Sequence, residues 1–196
     1  MKVLLIRHGQ TQGNKEKRYV GSTDEELLPE SIELLSKFQY PNTDALYVSP
    51  KIRCIQTANT IYPDMLPTIV EDFTECNFGN FEYKNYLELA EDEDYQKWID
   101  SNGEMPFPNG ESRDEFQRRC VNAFEQVVSQ AIQKDLKSIA LVVHGGTIMS
   151  ILDKYSNPHK DYFNWQVGNG EGYQAEINIS KWIFGEKEID NIRRMK

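Results

Sequence analysis

At 196 residues the chain is long enough to bury a substantial core, and one domain is expected over residues 1–196. A hydrophobic content of 39% with 11% aromatics excludes an intrinsically disordered chain. The net charge of −9 argues against nucleic acid and anionic membranes as partners, so a phosphorylated ligand would require the few cations to gather in one pocket.

The first element is an apolar run from Val3 to Ile6, four aliphatics that read as a short strand buried on both faces. It ends in Arg7-His8-Gly9, which delivers a cation, an imidazole and a flexible turn to one edge of a sheet. Ligands of open α/β folds bind beyond the carboxyl ends of the strands. From Gln10 to Gly21 the chain is polar and basic and reads as a loop. It is either a solvated surface segment or one whose Asn14 and backbone amides help to hold an anion. Thr23-Asp24-Glu25-Glu26 has capping-box spacing. Pro29–Phe38 then places Ile32, Leu35 and Phe38 at helical spacing, and Pro41-Asn42 ends that segment.

Asp44 to Val48 reads as a second buried strand. Ser49 is a natural helix N-cap and Pro50 suits the first helical position, which puts Arg53 at the end of the first turn. A cation there opposes the helix dipole, so a further partner, a phosphoryl group for example, is expected to hold it. Pro63 and Pro67 close the helix and Thr68-Ile69-Val70 reads as a short strand. Glu71–Glu82 is irregular and acidic but carries Phe73, Phe78 and Phe81, too apolar for a pure solvent loop. Tyr83–Asp100 is expected to form short helices over the site, with Glu91–Asp94 as a solvated face.

Pro106–Gly110 is a rigid turn, and Ser112-Arg113-Asp114-Glu115 is a capping box that opens the longest helix, Ser112 to Lys134. Phe116, Cys120, Ala123, Phe124, Val127, Val128 and Ala131 form its apolar face. Ile139–Val143 is another buried strand, followed by His144-Gly145-Gly146 and a helix to about Tyr155. Gly168-Asn169-Gly170 is a turn. Gly172–Ile179 alternates like a late edge strand, Lys181–Phe184 is a candidate for another, and the tail after Gly185 reads as disordered or partly helical. Cys54, Cys76 and Cys120 lie far apart without C-x-x-C spacing, which points to reduced thiols in a cytoplasmic protein. The apolar run before Arg7 is too short for a signal peptide, and no stretch reaches the roughly 18 apolar residues of a membrane span.

A single His-Gly is ordinary turn punctuation. Two of them, each at the end of a predicted core strand, suggest two imidazoles meeting in one site. Arg7 and Arg53 offer forked donors that match a tetrahedral oxyanion. A neutral imidazole beside them can attack phosphorus while the cations absorb charge on the equatorial oxygens. The leaving oxygen then needs a proton, for which Glu71–Glu82 supplies candidates. No carboxylate shares helical ligand spacing with His8 or His144, and no glycine-rich phosphate loop ends in Lys-Ser/Thr, so neither a metal nor a nucleotide-type loop is expected.

Arg7-His8-Gly9-x-Thr11-x-x-Asn14, Ser49-x-x-x-Arg53-x-x-x-Thr57-Ala58, Glu75 before Phe78-Gly79, Gly110-Glu111-Ser112 and Val143-His144-Gly145-Gly146 together resemble the histidine phosphatase superfamily. The resemblance runs in order from residue 3 to about residue 155. It implies the phosphoglycerate mutase-like fold, a three-layer α/β/α sandwich on a mostly parallel sheet. It also implies a metal-free, cofactor-free reaction through a phosphohistidine on His8. Arg7, Arg53 and His144 would form the phosphate pocket, with Asn14, Thr11, Gly21 and Gly145 as further contacts. Glu75 would be the proton donor, and Glu82 is the rival acid or a substrate contact. Two places depart from the family: Tyr83 stands where a Gly usually follows the second acid, and 24–31 keeps only part of the usual Asp-x-Pro-Leu-Thr-x-x-Gly pattern.

Three functions compete on these grounds. The first is a small phosphomonoester hydrolase similar to the α-ribazole phosphatases, the second a phosphoglycerate mutase-type phosphotransferase, and the third a silent phosphate-binding module. The expected partner is a small phosphate ester, and the oligomeric state is open, a homodimer included.

Overall fold

The computed structural model describes residues 1–195. Six strands form one sheet: β1 (Lys2–Arg7), β2 (Ala45–Val48), β3 (Thr68–Ile69), β4 (Ser138–Val143), β5 (Gly172–Glu176) and β6 (Asp190–Met195). Their order across the sheet is β3-β2-β4-β1-β5-β6. The four strands from β3 to β1 run parallel, and β5 and β6 complete the sheet in antiparallel fashion.

Because side chains alternate along a strand, each central strand feeds two cores. Val3 and Leu5 of β1 point to one face with Ile139, Leu141 and Val143 of β4. Leu4 and Ile6 point to the other with Ala140 and Val142. The helices are α1 (Gln12–Lys15), α2 (Pro29–Lys37), α3 (Ile52–Ile61), α4 (Glu93–Asp100), α5 (Arg113–Gln133), α6 (Gly145–Tyr155) and α7 (Ile179–Ile183). α3 covers the second face through Cys54 and Ala58, with α2 packed against it. α5 and α6 cover the first. The result is the three-layer α/β/α arrangement the sequence implies. A third cluster, with Phe81, Leu89, Tyr95, Phe107 and Phe116 at its heart, builds a cap above the carboxyl ends of the strands.

The capping box at Ser112 is present in both directions, and every predicted apolar position of α5 is buried. Elsewhere the local signals were outcompeted. Thr23 caps nothing: α2 begins at Pro29, Asp24 Oδ1 instead accepts the N–H of Ile52 at 2.8 Å, and Glu25 accepts that of Gly13. On α2 only Ser31 and Leu35 are buried, while Ile32 and Phe38 stay exposed. Helix α3 starts after Lys51, two residues later than expected. β5 is not an edge strand but lies between β1 and β6, and Lys181–Phe184 belongs to a helical turn. The charged tail is neither disordered nor helical through Met195. It pairs with β5 as the outer strand, and only Lys196 lies outside the described residues. No helix among the described residues is long and apolar enough to cross a membrane.

Candidate active site

Parallel pairing of β1 with β4 puts Arg7 opposite Val143, so the two His-Gly turns leave the sheet side by side. The His8 N–H donates to the Val143 carbonyl at 2.9 Å, and the two imidazole rings sit 5.2 Å apart at 66°. Both rings are buried. His8 Nδ1 lies 2.6 Å from the Gly9 carbonyl. A carbonyl only accepts, so Nδ1 carries the hydrogen and Nε2 is left with its lone pair. Burial first, then the Arg53 and Arg7 charges, hold His8 well below the usual imidazole range. The ring is therefore neutral at neutral pH, with the Nε2 lone pair free to attack an electrophile. His144 is shifted the same way, by burial and then by Arg53. Its Nε2 meets Ser49 Oγ at 2.8 Å, which is where the expected N-cap hydroxyl went.

The His8-Gly9 turn is held from two sides. Thr57 Oγ1 accepts the Gly9 N–H at 2.9 Å while its own hydroxyl donates to the Arg53 carbonyl. Asn169 Nδ2 donates to Asn14 Oδ1 at 3.0 Å and reaches the carbonyls of His8 and Gly9. Asn14 and Thr11 close a capping box on α1, so they brace this turn. Asn169 reads in the sequence only as part of a Gly-Asn-Gly turn, and nothing local signals its contact with residues so far upstream.

Arg7 donates to the Val167 carbonyl at 2.7 Å. Arg53 is fully buried, and what holds it in its first helical turn is backbone: it donates to the carbonyls of Thr23 (2.8 Å), Gly21 (3.0 Å) and Val20 (3.4 Å). The Nε atoms of both arginines are buried and meet no acceptor among the described residues. Gly21 is required by close packing, since a Cβ there would fall 1.8 Å from the Cys76 carbonyl.

Glu75 lies across from the start of α6. Its carboxylate accepts the N–H of Cys76 at 3.0 Å and, more weakly, that of Gly146 at 3.4 Å. Burial raises its pKa against the opposing pull of these donors and of Arg53. Gly146 leaves room for it: a Cβ would sit 2.6 Å from Glu75 Oε1, whereas at Gly145 a Cβ would only touch the Arg7 guanidinium at 3.6 Å. Glu82 is placed elsewhere. Its Oε1 accepts the N–H groups of Gly21 and Thr23 at 2.8 and 2.9 Å, and its side chain does not line the cleft. Tyr83, the departure from the family's glycine, adopts φ +60°, a left-handed conformation for which glycine is the natural residue.

Above these groups opens a cleft of about 550 Å³. Arg7, Glu75, Gly145 and Gly146 contribute to its floor, and Phe78, Trp98, Phe107 and Tyr162 to its walls. Arg113 stands at its rim with its guanidinium over Tyr162 and Phe163, a third cation that the sequence reading assigned only to a capping box. Among the described residues no group of three His, Cys, Asp or Glu side chains is disposed to hold a metal ion.

Comparison with known proteins agrees with this geometry. The histidine phosphatase superfamily (branch 1) matches residues 3–189. A broad-specificity phosphatase of Saccharomyces cerevisiae is 31% identical over 80% of this chain and 72% of its own length. The adenosylcobalamin/alpha-ribazole phosphatase of Escherichia coli is 26% identical over 91% of each chain. Among solved structures, the alpha-ribazole phosphatase of Shigella flexneri superposes with a TM-score of 0.79 at 22% identity, covering 97% of this chain and 94% of that one. The phosphoglycerate mutase of Thermus thermophilus superposes with a TM-score of 0.70 at 22% identity over the whole of both chains, a likeness of fold.

Proposed function

The chain belongs to branch 1 of the histidine phosphatase superfamily and is a phosphoric monoester hydrolase, and on that premise we propose that it works without a metal through a phosphohistidine on His8. The observation that carries this reading is the state of His8: Nδ1 is engaged by Gly9, and Nε2 is unprotonated beside two guanidiniums with donors to spare. Nε2 attacks phosphorus in line and the P–O bond to the alcohol breaks. Arg7, Arg53 and His144 take up charge on the equatorial oxygens. Glu75, whose pKa burial raises, gives its proton to the leaving oxygen. Its carboxylate then removes a proton from water as that water attacks the phosphohistidine, which releases phosphate and restores both groups.

The substrate is a small phosphorylated metabolite. α-Ribazole 5'-phosphate is one candidate, because a planar base suits the aromatic wall of Phe78, Trp98 and Phe107. Enzyme mixed with ³²P-labelled substrate and quenched should carry acid-labile, base-stable label. His8→Ala should carry none, and metal-stripped enzyme should label as well as untreated enzyme. Stable label on His8→Ala, or label that needs one specific divalent ion, would overturn the mechanism. Label returned to a bound alcohol rather than lost to water would favour the mutase reading, and a panel that includes α-ribazole 5'-phosphate would rank the substrates.

A further inference from the structure

The loop 20–23 carries two peptide units that each lie between opposite charges. In the Val20–Gly21 peptide the carbonyl accepts from Arg53 Nη2 and the N–H donates to Glu82 Oε1. In the Ser22–Thr23 peptide the carbonyl accepts from Lys51 Nζ and the N–H donates to the same Glu82 oxygen. Two N–H groups two residues apart that converge on one oxygen form an anion-binding nest. Here the anion is the protein's own carboxylate, brought by the residue that ends the 3-10 turn Gly79–Phe81. We propose that Glu82 is a positioning residue for the phosphoryl pocket: it acts as the remote counter-ion of Arg53 and sets that guanidinium through the 20–23 loop. This rests on the reading that Arg53 binds the phosphoryl group.

The loop itself has little else to define it. It forms no regular structure, yet three of its carbonyls, those of Val20, Gly21 and Thr23, must face one guanidinium together. Carbonyls on one side leave N–H groups on the other, and these are costly to bury unpaired. Glu82 satisfies two of them with one atom. Its charge also orients both peptide dipoles, so that the negative ends point at Arg53 and Lys51. Removing the side chain frees the loop to turn. A shift of the guanidinium by an ångström is enough to weaken an interaction made only with the transferring phosphoryl group.

The role is separable from that of an acid. Loss of a proton donor slows esters with poor leaving groups most, whereas loss of Arg53 alignment slows all esters alike. Glu82→Ala should lower kcat about 10- to 100-fold on an alkyl phosphate and on p-nitrophenyl phosphate equally, and should weaken orthovanadate binding in parallel. Glu82→Gln keeps an acceptor for Gly21 and Thr23 but not the charge, and should recover only part of the loss. On an Arg53→Lys background, Glu82→Ala should add little, because the group it aligns is gone. Additive losses in that double mutant, or a larger loss on the alkyl ester, would overturn the proposal alone. If Arg53→Lys changes neither turnover nor vanadate affinity, the reading of the phosphoryl pocket falls and this proposal falls with it.

Discussion

The floor and the cap of the cleft are built on opposite principles. The floor is polar and rigid: beneath Arg7 and Glu75 the side chains of His8, His144 and Arg53 are buried, and each is tied by hydrogen bonds to a turn, a hydroxyl or a loop. The cap is apolar and irregular, made from the 3-10 turn Gly79–Phe81, the short helix α4 and a cluster of rings around Phe107. Floor groups are held by directional bonds, which tolerate little displacement. Cap groups are held by area and ring stacking, which tolerate exchange of one apolar residue for another. The chemistry should therefore be sensitive to single atoms in the floor, and the choice of leaving group to shape in the cap.

The sharpest break of that contrast is His8→Ala. It should abolish turnover of every ester, by about four to six orders of magnitude, with the thermal midpoint little changed, as followed by calorimetry. A loss confined to some esters would mean the floor is not the common element.

Glu75 stands where the two regions meet and should behave as both. Glu75→Gln should slow an alkyl phosphate by about two to four orders of magnitude and p-nitrophenyl phosphate much less. The proposed mechanism needs Glu75 protonated and His8 neutral. Because burial raises the first and lowers the second, kcat/KM should fall on the alkaline side as Glu75 ionises, and fall on the acid side only below the usual imidazole range. The Gln variant should lose the alkaline limb. A limb unchanged in that variant would assign it to another group.

Ser49→Ala tests a single floor bond. Without the hydroxyl, His144 Nε2 keeps only the weaker Cys54 Sγ contact at 3.6 Å, and kcat should drop about tenfold for all esters. An unaltered kcat would show that the bond to Ser49 does not orient the ring.

The smallest effect belongs to the cap. Trp98→Phe keeps an apolar ring in the wall and should change KM by only a few fold, about 1 kcal/mol or less, with a different factor for each leaving group and kcat held on p-nitrophenyl phosphate. A uniform loss across esters would mean that Trp98 supports the floor.

Much of this division was legible in the sequence. Strong local signals carried through: the β1 and β4 runs, the Ser112 box, and the apolar stripe of α5 from Phe116 to Ala131. The pairing of His8 with His144 followed from two like turns at the ends of two like strands. What was missed depended on tertiary competition. Ser49 looked like a cap because hydroxyls cap helices, but a buried imidazole is a better-placed partner than the N–H of Lys51 at 3.4 Å. The alternation of Gly172–Glu176 resembles an edge strand, because no sequence pattern announces that Asp190–Met195 returns to cover it. The contacts of Glu82 and Asn169 were opaque for the same reason, since their partners lie in remote loops.

The placement of β1 bears on how the site comes into being. Val3 pairs with Ile139 on one side and Ala175 on the other, so the strand that delivers Arg7 and His8 has only distant neighbours along the chain. Contacts of such long range are formed late, after the entropy of closing large loops has been met. During synthesis β1 waits for both partners: β4 is complete at residue 143, and β5 only when residue 176 has left the ribosome. His8 is made well before either partner of β1 and is seated only when both are in place. A nascent chain stalled before β5 should therefore expose Val3–Ile6 to chaperones and lack phosphatase activity, even with every catalytic residue already polymerised.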